Sequence, residues 1–159
     1  MRKLGSKYVL LLILCAGALL GFVSPDEPQI TRVQLREMLV QLGYTVTDIV
    51  KEEGKEKYSV KFTKSNLDIP VGFEISPSGN YIWLTVNLGE APKEPNAMCL
   101  NLLKQNSKIQ PTFFYVTDSG RLMAALPVEN RGVTNAILRL RAESISDNMG
   151  KTKEFWQAQ

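Results

Sequence analysis

The stretch KYSVKFTKSNLDIPVGFEISPSGNYIWLTVNL, Lys57 to Leu88, decides the fold. Tyr58, Val60 and Phe62 alternate with Ser59, Lys61 and Thr63. Ile69, Val71, Phe73 and Ile75 alternate with Pro70, Gly72, Glu74 and Ser76. Ile82, Leu84, Val86 and Leu88 alternate with Tyr81, Trp83, Thr85 and Asn87. Successive side chains of a strand point to opposite faces, so a period of two marks strands with one side buried. Pro77-Ser78-Gly79-Asn80 has the composition of a tight turn between the last two runs. Together the three runs predict an antiparallel meander.

Working outward, the period changes. Upstream, Leu35, Met38, Leu39 and Leu42 recur at helical spacing, with Thr31 placed to cap the start and Gly43 to end it. Tyr44 to Val50 reads as a short extended piece, and Lys51 to Lys57 as a charged turn. Downstream, Gly89 to Glu94 is a loop, and Pro95 suits the first turn of a second helix. Cys99, Leu102 and Leu103 give that helix an apolar side up to Asn106. Two further strands follow Pro111, and Glu129-Asn130-Arg131-Gly132 turns the chain. Thr134 then caps a long helix with Leu138, Ala142, Ile145, Met149 and Trp156 along one side. The expected class is α+β, an antiparallel sheet with helices packed on it, in the order α-β-β-β-α-β-β-α.

The later hairpin, FFYVTDSGRLMAAL from Phe113 to Leu126, contains Asp118-Ser119-Gly120 after Val116-Thr117. That tripeptide also occurs at the catalytic carboxylate of aspartic proteases. Phe113 and Tyr115 share one face, and Phe114 and Val116 the other. Alternation resumes after Gly120 with Leu122, Ala124 and Leu126. A turn explains the tripeptide: Asp118 can accept from the backbone ahead, and Gly120 can take a positive φ. Ser78-Gly79-Asn80 is the same device elsewhere in the chain. Aspartic proteolysis needs two carboxylates sharing a proton, and the chain has this tripeptide once.

The 159 residues, 44% hydrophobic and 22% charged, are enough for one domain with a real core. Of the 19 basic residues, Arg2, Lys3 and Lys7 lie ahead of the first apolar run, which leaves 16 against 16 acidic ones. The net charge of +3 is therefore a property of the N-terminus and argues for no nucleic-acid partner. A basic start, an apolar run from Tyr8 to Val23 and Ala16-Gly17-Ala18 within it make an export signal. It is either cleaved or retained as an anchor, short for a full span. Leu14 before Cys15 is unlike the small residue that a lipid-attachment motif needs. The expected organisation is a signal peptide or membrane anchor over 1–23, a linker over 24–29 and a single domain over 30–159. The location that follows is outside the cytoplasm, in the periplasm or cell envelope, with membrane contact only through residues 8–23.

The chemistry available is narrow. There is no histidine, which removes Ser-His-Asp and Cys-His sites and the commonest metal ligand. Cys99 would be alone in a processed chain, so it is expected to pack as a small apolar residue. No phosphate-binding glycine loop is present. Glu52, Glu53 and Glu56 alternate with Lys51, Lys55 and Lys57, the pattern of a solvated turn. No catalytic residue, metal or cofactor is expected. Tyr81 and Trp83, on the strand face opposite Ile82, Leu84 and Val86, suggest a partner-binding surface unless the C-terminal helix with Phe155 and Trp156 covers them.

The order of elements, carried by LREMLVQLGYTV, the meander quoted above, CLNLLKQN, TFFYVTDSGRLMAALPV and GVTNAILRLR, resembles the YbjN family and the related class I type III secretion chaperones. The resemblance runs from about Ile30 to Trp156. It implies a helix–sheet–helix sandwich that often dimerises and binds other polypeptides. The function expected is a non-enzymatic module that binds a peptide or protein in the envelope, with a homodimer as a further option. The alternatives are a carboxylate-dependent enzyme, with Asp118 the first suspect, and a self-associating structural envelope protein.

Overall fold

A computed structural model of the chain describes residues 27–93 and 97–157. The N-terminal segment 1–23, Ser24 to Asp26 of the linker, and Pro95 lie outside the described residues. Helix α1 (Arg32–Gln41) starts where Thr31 accepts from the Gln34 N–H, and the Gln34 side chain accepts from the Thr31 N–H. This reciprocal arrangement satisfies two of the N–H groups a helix start leaves bare. Gly43, at φ +84°, ends the helix in a conformation that side chains disfavour. The chain then enters β1 (Val46–Val50), β2 (Lys57–Lys64), β3 (Leu67–Ile75) and β4 (Tyr81–Glu90). Four strands precede the second helix: the three of the meander and the short extended piece after Gly43, which pairs along β2.

After β4 come α2 (Ala97–Asn106), β5 (Phe113–Val116), β6 (Arg121–Glu129), α3 (Asn135–Lys151) and α4 (Lys153–Trp156). All six strands form one antiparallel sheet in the order β1-β2-β3-β4-β6-β5. Strand β6 returns beside β4, and β5 lies outside it at the margin. The registers set Phe73 opposite Leu84, Leu84 opposite Leu126, and Phe114 opposite Ala124. These residues share one face, where helix α3 packs across β2, β3 and β6. Leu138, Ala142, Ile145 and Met149 of α3 are all at 0% exposure against it. The helix comes close at Gly150: a Cβ there would meet Lys64 Cβ at 3.2 Å. Helix α1 rests on β1 and α3, and α2 on β5.

One helix boundary and one buried helix face differ from the expected ones. The long helix stops at Lys151, because Thr152 turns its hydroxyl back onto the Asn148 carbonyl at 2.7 Å and takes a non-helical conformation. Trp156 therefore belongs to α4, and its indole N–H donates to the Met149 carbonyl at 3.3 Å. On α2, Leu102 is buried while Leu103 is 64% exposed. That helix lies at the margin of the sheet and buries one row of side chains, where a wider stripe was expected.

Asn130, read from the sequence only as part of a turn, is 1% exposed and ties three segments together. It accepts from the Ile30 N–H at 3.1 Å and donates to the carbonyls of Ile30 at 3.0 Å and Gly79 at 2.8 Å. The start of the domain is thereby fixed to the β3–β4 turn.

Candidate functional site

The second face of the sheet carries Tyr81, Trp83 and Thr85 from β4, Pro127, Ala125 and Met123 from β6, and Phe113 and Tyr115 from β5. The long helix lies on the opposite face, and α4 with Phe155 and Trp156 packs against α2 and α3. The C-terminal helix therefore does not cover Tyr81 and Trp83. Tyr81 is 43% exposed and Trp83 half-buried.

Four rings run across this face in sequence. Tyr81 and Trp83 lie 6.3 Å apart between centroids, Trp83 and Phe113 6.4 Å, and Phe113 and Tyr115 5.8 Å. The Trp83–Phe113 pair is edge-to-face at 82°, an arrangement that suits the opposed charge of ring face and ring edge. It bridges β4 and β5 over β6. Ala125 sits between Thr85 and Phe113 in the register and is only 2% exposed. A small side chain there lets the flanking rings close over the strand.

Phe113 and Tyr115 were not singled out with Tyr81 and Trp83. Their alternation was legible, but the strand order that brings β5 near β4 was not. At one border of the row Lys57 and Glu74 form an ion pair across β2 and β3. Burial first, and the Glu74 carboxylate second, push the Tyr115 hydroxyl above its ordinary pKa, against the opposing pull of Lys57. Among the described residues, no hydrogen bond ties the Trp83 indole N–H or the Tyr81 and Tyr115 hydroxyls.

Asp118 sits at the exposed turn between β5 and β6. The turn has the expected Gly120 at φ +77°, with its N–H donating to Thr117 C=O at 2.9 Å. The side chain that organises it is Thr117 and not Asp118. The Thr117 hydroxyl accepts from the Arg121 N–H at 3.0 Å and lies 3.0 Å from the Ser119 hydroxyl. Ser76 repeats this at the β3–β4 turn, accepting from the Tyr81 N–H at 3.2 Å and lying 3.0 Å from the Ser78 hydroxyl. Among the described residues, none makes a hydrogen bond with the Asp118 side chain. Glu52 is paired with Lys55 at 2.7 Å, as befits a solvated turn. Among the described residues no cluster of three acidic or cysteine side chains is placed to hold a metal ion.

A second apolar feature lies between α2 and β5. A groove of about 200 Å³ is lined by residues including Cys99, Leu102, Leu103, Val116 and Leu122. Leu100, Leu103 and Val116 beside it are 61%, 64% and 54% exposed.

No protein-family model and no curated protein matches the chain. Among solved structures the chain is similar to a chain of the heterodimeric ExoU–SpcU complex from the type III secretion system of Pseudomonas aeruginosa. The identity is 17%, the match covers 77% of this chain and 98% of that one, and the TM-score is 0.48.

Proposed function

We propose that the chain is a non-enzymatic protein-binding module with a YbjN-like or secretion-chaperone-like domain over residues 30–159. Its partner is a peptide or protein held on the aromatic face of the sheet. The observation that supports this reading is the row Tyr81, Trp83, Phe113 and Tyr115, on the side away from the long helix and with no hydrogen bond to its polar tips among the described residues. Exposed aromatic anchors of this kind dominate binding energy at interfaces because they bring large area at little entropic cost. The test is recovery of a partner from envelope extract on immobilised protein, compared between the parent and a Tyr81→Ala/Trp83→Ala variant. Loss of the partner with the circular dichroism spectrum retained supports the site. Equal recovery by the variant removes it.

The location belongs to the same proposal: residues 1–23 direct export and are then cleaved or kept as an anchor. Fractionation of cells with sequencing of the mature N-terminus checks both parts, and full-length protein in the cytoplasm would end the envelope reading.

The α2–β5 groove favours a second reading, in which a further copy of the chain covers Leu100, Leu103 and Val116. A Leu100→Glu/Leu103→Glu variant should then have a lower mass in solution than the parent.

A further inference from the structure

Strand β5 lies at one margin of the sheet, with β6 on one side and, among the described residues, no strand on the other. In an antiparallel pair alternate residues turn their N–H and C=O away from the partner. The Thr117 N–H donates to the Arg121 carbonyl at 2.9 Å, which sets the parity. Phe113 and Tyr115 bond inward, and Phe114 and Val116 present their backbone groups outward. At Phe114 these groups are already taken. Its N–H donates to Asn106 Oδ1 at 2.7 Å, and Asn106 Nδ2 donates to its carbonyl at 3.2 Å.

A side-chain amide offers one face of a peptide group, a donor beside an acceptor. Asn106 therefore fills the place that the backbone of another strand would take. It is the last residue of α2, so the packing of that helix on β5 holds the amide in position. Unpaired margins are templates for pairing with other chains, and proteins blunt them by various devices. The opposite margin, β1, is interrupted by an irregularity between Asp48 and Val50.

We propose that Asn106 is an edge guard, whose amide keeps β5 from pairing with β5 of a second copy. Without it, two copies can pair antiparallel about a two-fold axis. Each then supplies the donor and acceptor that Asn106 now provides. This device is independent of the aromatic face.

The experiment is light scattering across a concentration range on the full chain and its Asn106→Ala variant. The mass of the variant should rise with concentration towards twice that of the parent, while the parent does not follow. Adding Val116→Pro removes the outward N–H of Val116, which has no partner strand to donate to. The double variant should return to the parent's profile. An Asn106→Ala protein with the parent's mass at every concentration and only a lower melting temperature would overturn the proposal. So would a double variant that keeps the raised mass. Should the alanine variant fail to fold, Asn106→Asp still accepts from Phe114 N–H but, ionised, cannot donate to its carbonyl. Its mass should rise less than expected for alanine, and an unchanged mass would again overturn the guard.

Discussion

Along β4 the side chains on one side are Ile82, Leu84 and Val86, none more than 2% exposed, and on the other Tyr81, Trp83 and Thr85, which stay partly open. The aliphatic side is closed by the long helix, whose apolar row meets it in a dry core. None of the described helices lies over the rings of the aromatic side, and they shield one another and the strand beneath. Aliphatic side chains have no polar tip and are stable only when something else excludes water from them. Rings bring large area and, in Tyr and Trp, a polar end that tolerates water. One face can therefore remain available for a partner without costing the fold its core.

Neighbours in sequence break or sharpen this contrast most directly. Phe114 is 6% exposed on the helix side and Phe113 half-buried on the other. Phe114→Ala should cost about 3–5 kcal/mol in urea unfolding, the range for emptying a core site. A cost under about 1 kcal/mol would mean the core does not extend to β5. Asn130→Ala comes next, since it removes the partner of a part-buried N–H and two part-buried carbonyls, and should cost about 2–3 kcal/mol. Trp83→Ala and Phe113→Ala should each cost about 1 kcal/mol through the lost ring contact. Their double variant should lose less than the sum, because the partners are shared. A loss as large as for Phe114 would show the outer face to be a second core.

The turn gives a smaller effect and a clear order. Thr117→Ala removes the acceptor for Arg121 N–H and should cost about 1 kcal/mol. Asp118→Asn should stay within about 0.5 kcal/mol. The reverse order would return the turn's organisation to the aspartate.

The smallest effect is alkaline. The raised Tyr115 pKa means that the folded state holds the phenol proton more tightly than the unfolded state does. The stabilisation is full below the unfolded value, about 10. It is lost as pH rises from there through the folded value. Tyr58 on the covered face is raised too, by burial first and then by Glu56 and Asp48. Tyr115→Phe should therefore flatten the fall of melting temperature above pH 10 only in part. A complete flattening would assign the whole slope to the open face.

Much of this was legible along the chain because local periodicity is set by local geometry. Thr31, Gly43 and Thr134 cap or end their helices where composition placed them, and the apolar residues of the meander expected inward fall on the covered side, while Ser76, expected outward, is buried at the turn. The break at Thr152 was not legible, since a hydroxyl turned onto the preceding helical turn leaves no signature in the apolar spacing. The candidate site was half legible. Tyr81 and Trp83 could be assigned to one face by alternation, but Phe113 and Tyr115 joined them only through strand order.

The sequence by itself determined the element types, their caps, the two-faced strands and an apolar N-terminal run unlike the rest of the chain. Only the tertiary structure decided which strands lie at the margins, that the rings of β4 and β5 meet over Ala125, and that Asn130 and Asn106 bond across long gaps in sequence or onto a free strand edge. The reason is one of range: a strand's period is written in its own residues, whereas its neighbours are chosen by the burial of all the faces at once.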